Sequence, residues 1–172
     1  MLKYYDLIIP VFSNALSALK GVLQKGEAFA KAHKVSDEIM LGLRLAPDMF
    51  PLVKQVQVAS DNAKGAAARL SGKEAPKMED NEKTFAELYA RIDKTIAFLH
   101  TCKPGDFTDA KERKIKLAYF PPNMHFIGHE YLRFYAIPNF FFHMTTAYDI
   151  LRTNGVPVGK ADYTGNVPLH KD

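Results

Sequence analysis

The stretch that most constrains the fold is Pro138-Asn139-Phe140-Phe141-Phe142-His143-Met144-Thr145-Thr146-Ala147-Tyr148-Asp149-Ile150-Leu151-Arg152-Thr153-Asn154-Gly155. Pro138 suits a first helical position, where its missing N–H would find no partner anyway. Gly155 stands where a left-handed residue closes a helix. Between them Phe140, His143, Ala147, Ile150 and Asn154 share one stripe, flanked by Met144 and Leu151. Such a helix must bury its stripe against others, and it carries a histidine inward. The run Phe140-Phe141-Phe142 covers most of the circumference, so a second buried side is expected, against a hairpin or another subunit.

The remaining chain supplies the helices this one needs. Tyr4, Ile8, Val11, Ala15, Leu19 and Val22 recur at helical spacing from Tyr4 to about His33, with Pro10 an internal irregularity. Ser36 caps a short turn. Asp48 is expected to cap a second long helix, Met49 to Leu70, whose inward residues are small and which Gly72 ends. Thr84-Phe85-Ala86-Glu87 has capping-box spacing and opens a third helix running to about Cys102. From Lys114 to Gly128 the period changes to alternation broken by Pro121-Pro122-Asn123, which reads as a small β-hairpin. Glu130 to Ile137 is a helical lead-in, and residues 156–172 form an extended strap. The expected fold is all-α, a single domain over residues 1–172, with four long helices bundled and one hairpin inserted between the third and fourth.

Composition narrows the function classes. The 172 residues, 47% of them hydrophobic, suffice for one well-filled core. A single cysteine, Cys102, rules out an internal disulfide framework and agrees with a reducing compartment. The start of the chain lacks a basic run followed by an apolar one, and no stretch reads as a membrane span, so a cytoplasmic protein without membrane attachment is expected. The formal charge is +4. The basic residues are dispersed, with Lys64, Arg69, Lys73 and Lys77 over a helix end and loop, and Lys111, Arg113, Lys114 and Lys116 interleaved with Asp109 and Glu112. Solvated surface charge is the preferred reading over a nucleic-acid or phosphate-binding face.

Chemistry is sparse. His125 and His129 have i, i+4 spacing, but Gly128 and the prolines argue against a helix there, and hairpin histidines are favoured over a metal pair. His33 and His100 lie at helix ends, where capping explains them. Cys102 has no activating partner in view. No glycine-rich phosphate loop and no nucleophile elbow occurs. His143 is the exception, because an apolar stripe carries it inward. A buried histidine hydrogen-bonded to a neighbour is the simpler reading. The functional one places it in a pocket between helices, facing Gln57 or Asp61.

The stretch Ile137 to His143, continued by Ala147-Tyr148, Ile150-Leu151-Arg152, Gly155-Val156 and Gly159-Lys160-Ala161-Asp162-Tyr163, resembles an uncharacterised bacterial and fungal family within the DinB/YfiT-like four-helix bundles. Arg44 to Phe50 with Gln55-Val56-Gln57 fits the same family. The resemblance implies a bundle, often dimeric, from a superfamily that includes metal-dependent thiol transferases. It also implies a metal site built from one histidine of the second helix and a His-x-x-x-His pair of the last. His143 matches the first of that pair, Ala147 stands at the second, and Gln57 with Asp61 one turn on are the nearest occupants of the second helix. No cofactor is therefore expected, and zinc or nickel is disfavoured because tight divalent binding needs several convergent donors. The reading is a homodimeric bundle with a degenerate metal site that holds a small ligand or serves structure, with Gln57, Asp61, His143 and Tyr148 as candidate pocket residues. The alternative is a metal-dependent or acid–base enzyme of transferase or hydrolase type, with His143 acting alongside Asp61 or His129.

Overall fold

In the computed structural model, which describes residues 3–170, four long helices enclose one contiguous core. They are α1 (Tyr4–His33), α3 (Leu52–Ser71), α4 (Phe85–Thr101) and α6 (Ile137–Thr153), with the short α2 (Asp37–Gly42) between the first two. Each begins and ends where its local chemistry dictates. Asp6 accepts the Lys3 N–H at 3.1 Å at the start of α1. At its end Lys34 turns left-handed (φ 57°) and Val35 N–H reaches back to Ala30 O at 2.9 Å. Thr84 Oγ1 accepts the Glu87 N–H at 3.2 Å while Glu87 Oε2 accepts the Thr84 N–H at 2.9 Å, completing the capping box of α4. Asp37 adds a distant cap, accepting the Phe85 N–H at 3.1 Å.

Two helix starts differ from expectation. α3 opens at Leu52 behind Pro51, not at Met49 behind Asp48, because a residue before proline is driven out of the helical region and Phe50 is such a residue. Pro138 does not open α6. The chain is already helical through a short turn, α5 (Gly128–Glu130), and a π turn (Tyr131–Ala136) in which Ile137 N–H bonds Leu132 O. A widened turn directly ahead of a proline accommodates the missing donor. The C-terminal strap is also not wholly extended. It forms α7 (Lys160–Thr164), which docks on α1 through Lys25–Asp162 at 2.6 Å and Asn14 Nδ2 to Thr164 O at 3.2 Å. Residues 171 and 172 of that strap lie outside the described residues.

Side-chain pairs fix the topology. Lys20–Asp93 and Glu27–Tyr89 run α1 against α4. Gln55–His143, Asn62–Asn139 and Arg69–Tyr131 run α3 against α6. Arg91–Asp61 and Cys102–Ser71 make α3 and α4 parallel. The order is thus up-down-down-up, and the connection from Gly72 to Thr84 returns along about 30 Å of helix. Ala59, Ala63, Ala66 and Ala67 are fully buried, so α3 lets its neighbours approach closely. The expected hairpin is present but brief, β1 (Lys114–Ile115) antiparallel to β2 (Phe126–Ile127), with Ile115 opposite Phe126. Phe126 packs against Phe120, Tyr131 and Tyr135.

α1 is long and apolar enough to cross a membrane by length and composition, contrary to the expectation that no stretch would be. Its apolar side is committed to the core, where Ile8, Phe12, Leu16, Leu19 and Leu23 are fully buried.

Candidate functional site

His143 lies on the α6 face that meets α3 and is 8% exposed. Its Nδ1 is 2.7 Å from Gln55 Oε1. The amide orientation is set from the other side, because Gln55 Nε2 donates to Phe50 O at 3.0 Å. Gln55 Oε1 is therefore the acceptor, and the proton of His143 sits on Nδ1. Burial lowers the imidazole pKa, which keeps the ring neutral with its Nε2 lone pair free. Phe50 lies nearly parallel to the ring at 6.5 Å and Phe142 stands edge-on at 5.2 Å.

The expected pocket set does not assemble around it. Gln55 and Gln57 are two residues apart on one helix, so their side chains leave α3 on nearly opposite sides. The residue facing His143 is Gln55. Gln57 donates to Glu82 Oε2 at 2.8 Å, and Asp61 pairs with Arg91 at 2.9 Å and Lys64 at 2.8 Å. Tyr148 faces the C-terminal segment, with its hydroxyl toward Val158 O at 3.4 Å and its ring edge-on to Tyr163. His129 does not fold over to His143, since its Nδ1 lies 3.3 Å from Lys111 O beside the hairpin. His33 behaves as expected of a helix-end residue, with Nδ1 2.8 Å from Phe29 O. Cys102 is buried, its thiol pKa pushed up by that burial, and its Sγ lies 3.9 Å from Ser71 Oγ.

Sequence reasoning missed Arg91. Its side chain is 1% exposed and binds three carboxylates, Asp61 and Asp80 at 2.9 Å and Glu82 at 2.8 Å. Burial opposes its charge, but the acids around it raise its pKa on balance. Lys54 on Asp80 and Lys64 on Asp61 complete a balanced network that fastens the 72–84 connection to α3 and α4. The available signal was position: Arg91 shares the stripe of Leu88, Ile92 and Thr95, where a charge without partners would be costly. The acids Asp80 and Glu82 just upstream were the partners to look for.

As a metal centre the donor set does not close. One turn beyond His143 stands the methyl group of Ala147, and Gln55 has both ends of its amide in hydrogen bonds. Among the described residues no group of three or more His, Cys, Asp or Glu side chains could hold a metal ion.

The sequence from residue 4 to residue 164 matches a family model described as a domain of unknown function, DUF1993. A crystal structure of a DinB family member from Shewanella denitrificans is similar, at 43% identity and a TM-score of 0.93, over 98% of this chain and 95% of that one. No curated protein matches the sequence. With the capped helices, the inserted ribbon and the His143 face all within the matched span, the chain belongs to the DUF1993 family and has the DinB-like fold.

Proposed function

We propose that this protein binds a small molecule without the superfamily's metal triad, and that His143 serves it as a fixed, neutral hydrogen-bond acceptor. The observation that carries the reading is the Gln55–His143 bond, with Gln55 itself held by Phe50 O. It selects one tautomer and points a free Nε2 away from the amide. An amide behind the ring orients it but supplies no negative charge to stabilise an imidazolium, which favours binding over acid–base catalysis. A lone imidazole beside Ala147 also gives a divalent metal too few donors to be retained. The aromatic flank of Phe50 and Phe142 suits a ligand with an apolar body and one donor group.

We further propose a homodimer in the cytoplasm, with no membrane or nucleic-acid partner. Phe134 and Phe142, 68% and 56% exposed, support a second apolar face, and the single buried cysteine suits a reducing compartment.

Metal analysis of tag-free protein should find zinc and nickel far below one per chain. Nitrogen-15 NMR of His143 at pH 7 should report the neutral Nδ1–H tautomer. Stoichiometric metal that His143→Ala removes would overturn the proposal. Sedimentation should show a concentration-dependent dimer that Phe142→Glu weakens.

A further inference from the structure

The basic residues that look dispersed along the chain meet in space. Arg69 and Lys73 at the end of α3, and Lys114 and Lys116 on the ribbon, line one open cleft of about 450 Å³ whose floor is Ala68, Gly72 and Ile115. The Arg69 guanidinium lies against Gly65, where a Cβ would overlap it. The Arg113 guanidinium lies in the same way against Gly72. Arg69 is held there by a 3.1 Å hydrogen bond to Tyr131 Oη and by the ring of that tyrosine, 6.0 Å away. Among the described residues Lys73 is paired with Asp106, whereas Arg69, Arg113, Lys114 and Lys116 form no ion pair. Arg113 Nε is buried with no hydrogen-bond partner.

Solvated surface charge explains none of this well. Like charges in solution spread apart, and concave surfaces of one sign concentrate field rather than dissipate it. The negative end of α3 favours a cation nearby, but it amounts to only about half a charge. Two arginines seated on glycines are also partly ordered before anything binds, which is how guanidinium forks recognise phosphate oxygens.

We propose that this cleft binds a small polyphosphate, free or carried on an organic molecule. Gly65 and Gly72 are seven residues apart, so the two glycines against which the guanidiniums lie are about 10 Å apart along the axis of α3. A phosphate bridging both would be held by hydrogen bonds of about 2.9 Å at each end, and the remaining gap exceeds one phosphate's width. Two or more phosphates in a row span it, and the three lysines reach the oxygens between. The cavity is of the size that takes a drug-sized or nucleotide-sized molecule. This site lies about 20 Å along α3 from Gln55 and does not depend on the role of His143.

The test is calorimetric titration of the full chain with pyrophosphate and with ATP at constant ionic strength, with inorganic phosphate and a 20-nucleotide single strand as comparators. Pyrophosphate and ATP should bind saturably at one site per chain, and phosphate at least tenfold more weakly. Arg69→Gln should lower affinity for both at least tenfold, and Arg113→Gln should lower it less, since Arg113 adjoins the cleft at Gly72 without lining it. The surface pair Lys114→Gln with Lys116→Gln should match the Arg69→Gln loss without altering the melting temperature, which keeps the test valid should an arginine variant unfold. Tyr131→Phe should weaken binding by loosening Arg69. Absence of saturable binding overturns the proposal, as does affinity indifferent to these variants. A single strand that binds more tightly than ATP through the same residues would also overturn it, marking a nucleic-acid face.

Discussion

Replacing Arg91 by methionine tests how the bundle holds its longest connection. The substitution keeps most of the buried stem and deletes the guanidinium, so packing loss is small and the electrostatic loss dominates. Breaking a buried ion pair by removing one partner costs about 3–5 kcal/mol, chiefly because the other charge stays buried. Here that figure must be reduced. The side chains of Asp61 and Asp80 are 41% and 35% exposed, and each keeps a lysine, so water and those lysines take over. Glu82 is 10% exposed and keeps only the Gln57 amide. The expected destabilisation is therefore about 2–4 kcal/mol, concentrated on Glu82. Urea denaturation at pH 7 gives the value by linear extrapolation. Limited proteolysis should show new cleavage between residues 72 and 84, the segment whose Glu79 carbonyl, Asp80 and Glu82 the guanidinium gathers. Adding Glu82→Gln should recover part of the loss, since it removes the stranded charge. A loss below about 1 kcal/mol with unchanged proteolysis would refute the reasoning and reduce the network to surface ion pairing.

Other expected outcomes concern single contacts. Because burial lowers the His143 pKa below its ordinary 6.5, the unfolded chain takes up that proton first. Its contribution to stability is complete above about pH 6.5 and is lost as pH falls toward the folded value. His143→Gln should flatten the stability difference between pH 7.5 and pH 5.5, measured by urea midpoints. Gly128→Ala would drive a Cβ into the Ala110 carbonyl and to 3.1 Å from Leu70. It should cost about 3 kcal/mol by chemical denaturation. Thr84→Ala removes half of the α4 capping box and should cost about 1 kcal/mol, a fall of about 2–4 °C in melting temperature by calorimetry.

Where the sequence was legible, a short-range rule decided the outcome. Thr84 and Glu87, three apart, could only cap one another, and Gly72 and Gly155 sit at left-handed positions (φ 79° and 89°) that end their helices as expected. The long helices followed from stripes of apolar residues, most of which are in the core, although Val11 and Asn154 on those stripes are exposed. The starts of α3 and α6 were missed for local reasons, the pre-proline residue Phe50 and the π turn ahead of Pro138. The site expectations that failed depended on register between distant segments. Gln55 and Gln57 flank Val56, and only the pairing of α3 with α6 selects Gln55 as the partner of His143. Arg91 drew no reading from the sequence, because its acids come from a loop and from another helix and only the fold brings them together. The basic cleft was missed for the same reason, since Arg69 and Lys114 are joined by the ribbon folding onto the end of α3 rather than by any spacing along the chain.

The π turn at Tyr131–Ala136 sets the angular phase of everything that α6 offers to α3. In a regular helix eight residues rotate a side chain about 80° out of line, so Tyr131 and Asn139 would sit at opposite margins of the face that meets α3. One additional residue in the widened turn takes up about that rotation, and Tyr131 reaches Arg69 while Asn139 and His143 meet Asn62 and Gln55. The two ends of the α3–α6 seam are thereby aligned by a single inserted backbone unit. Deleting one residue between 132 and 136 would leave either the imidazole or the tyrosine turned aside, so chains sharing both contacts must share the length of this segment as well as its side chains.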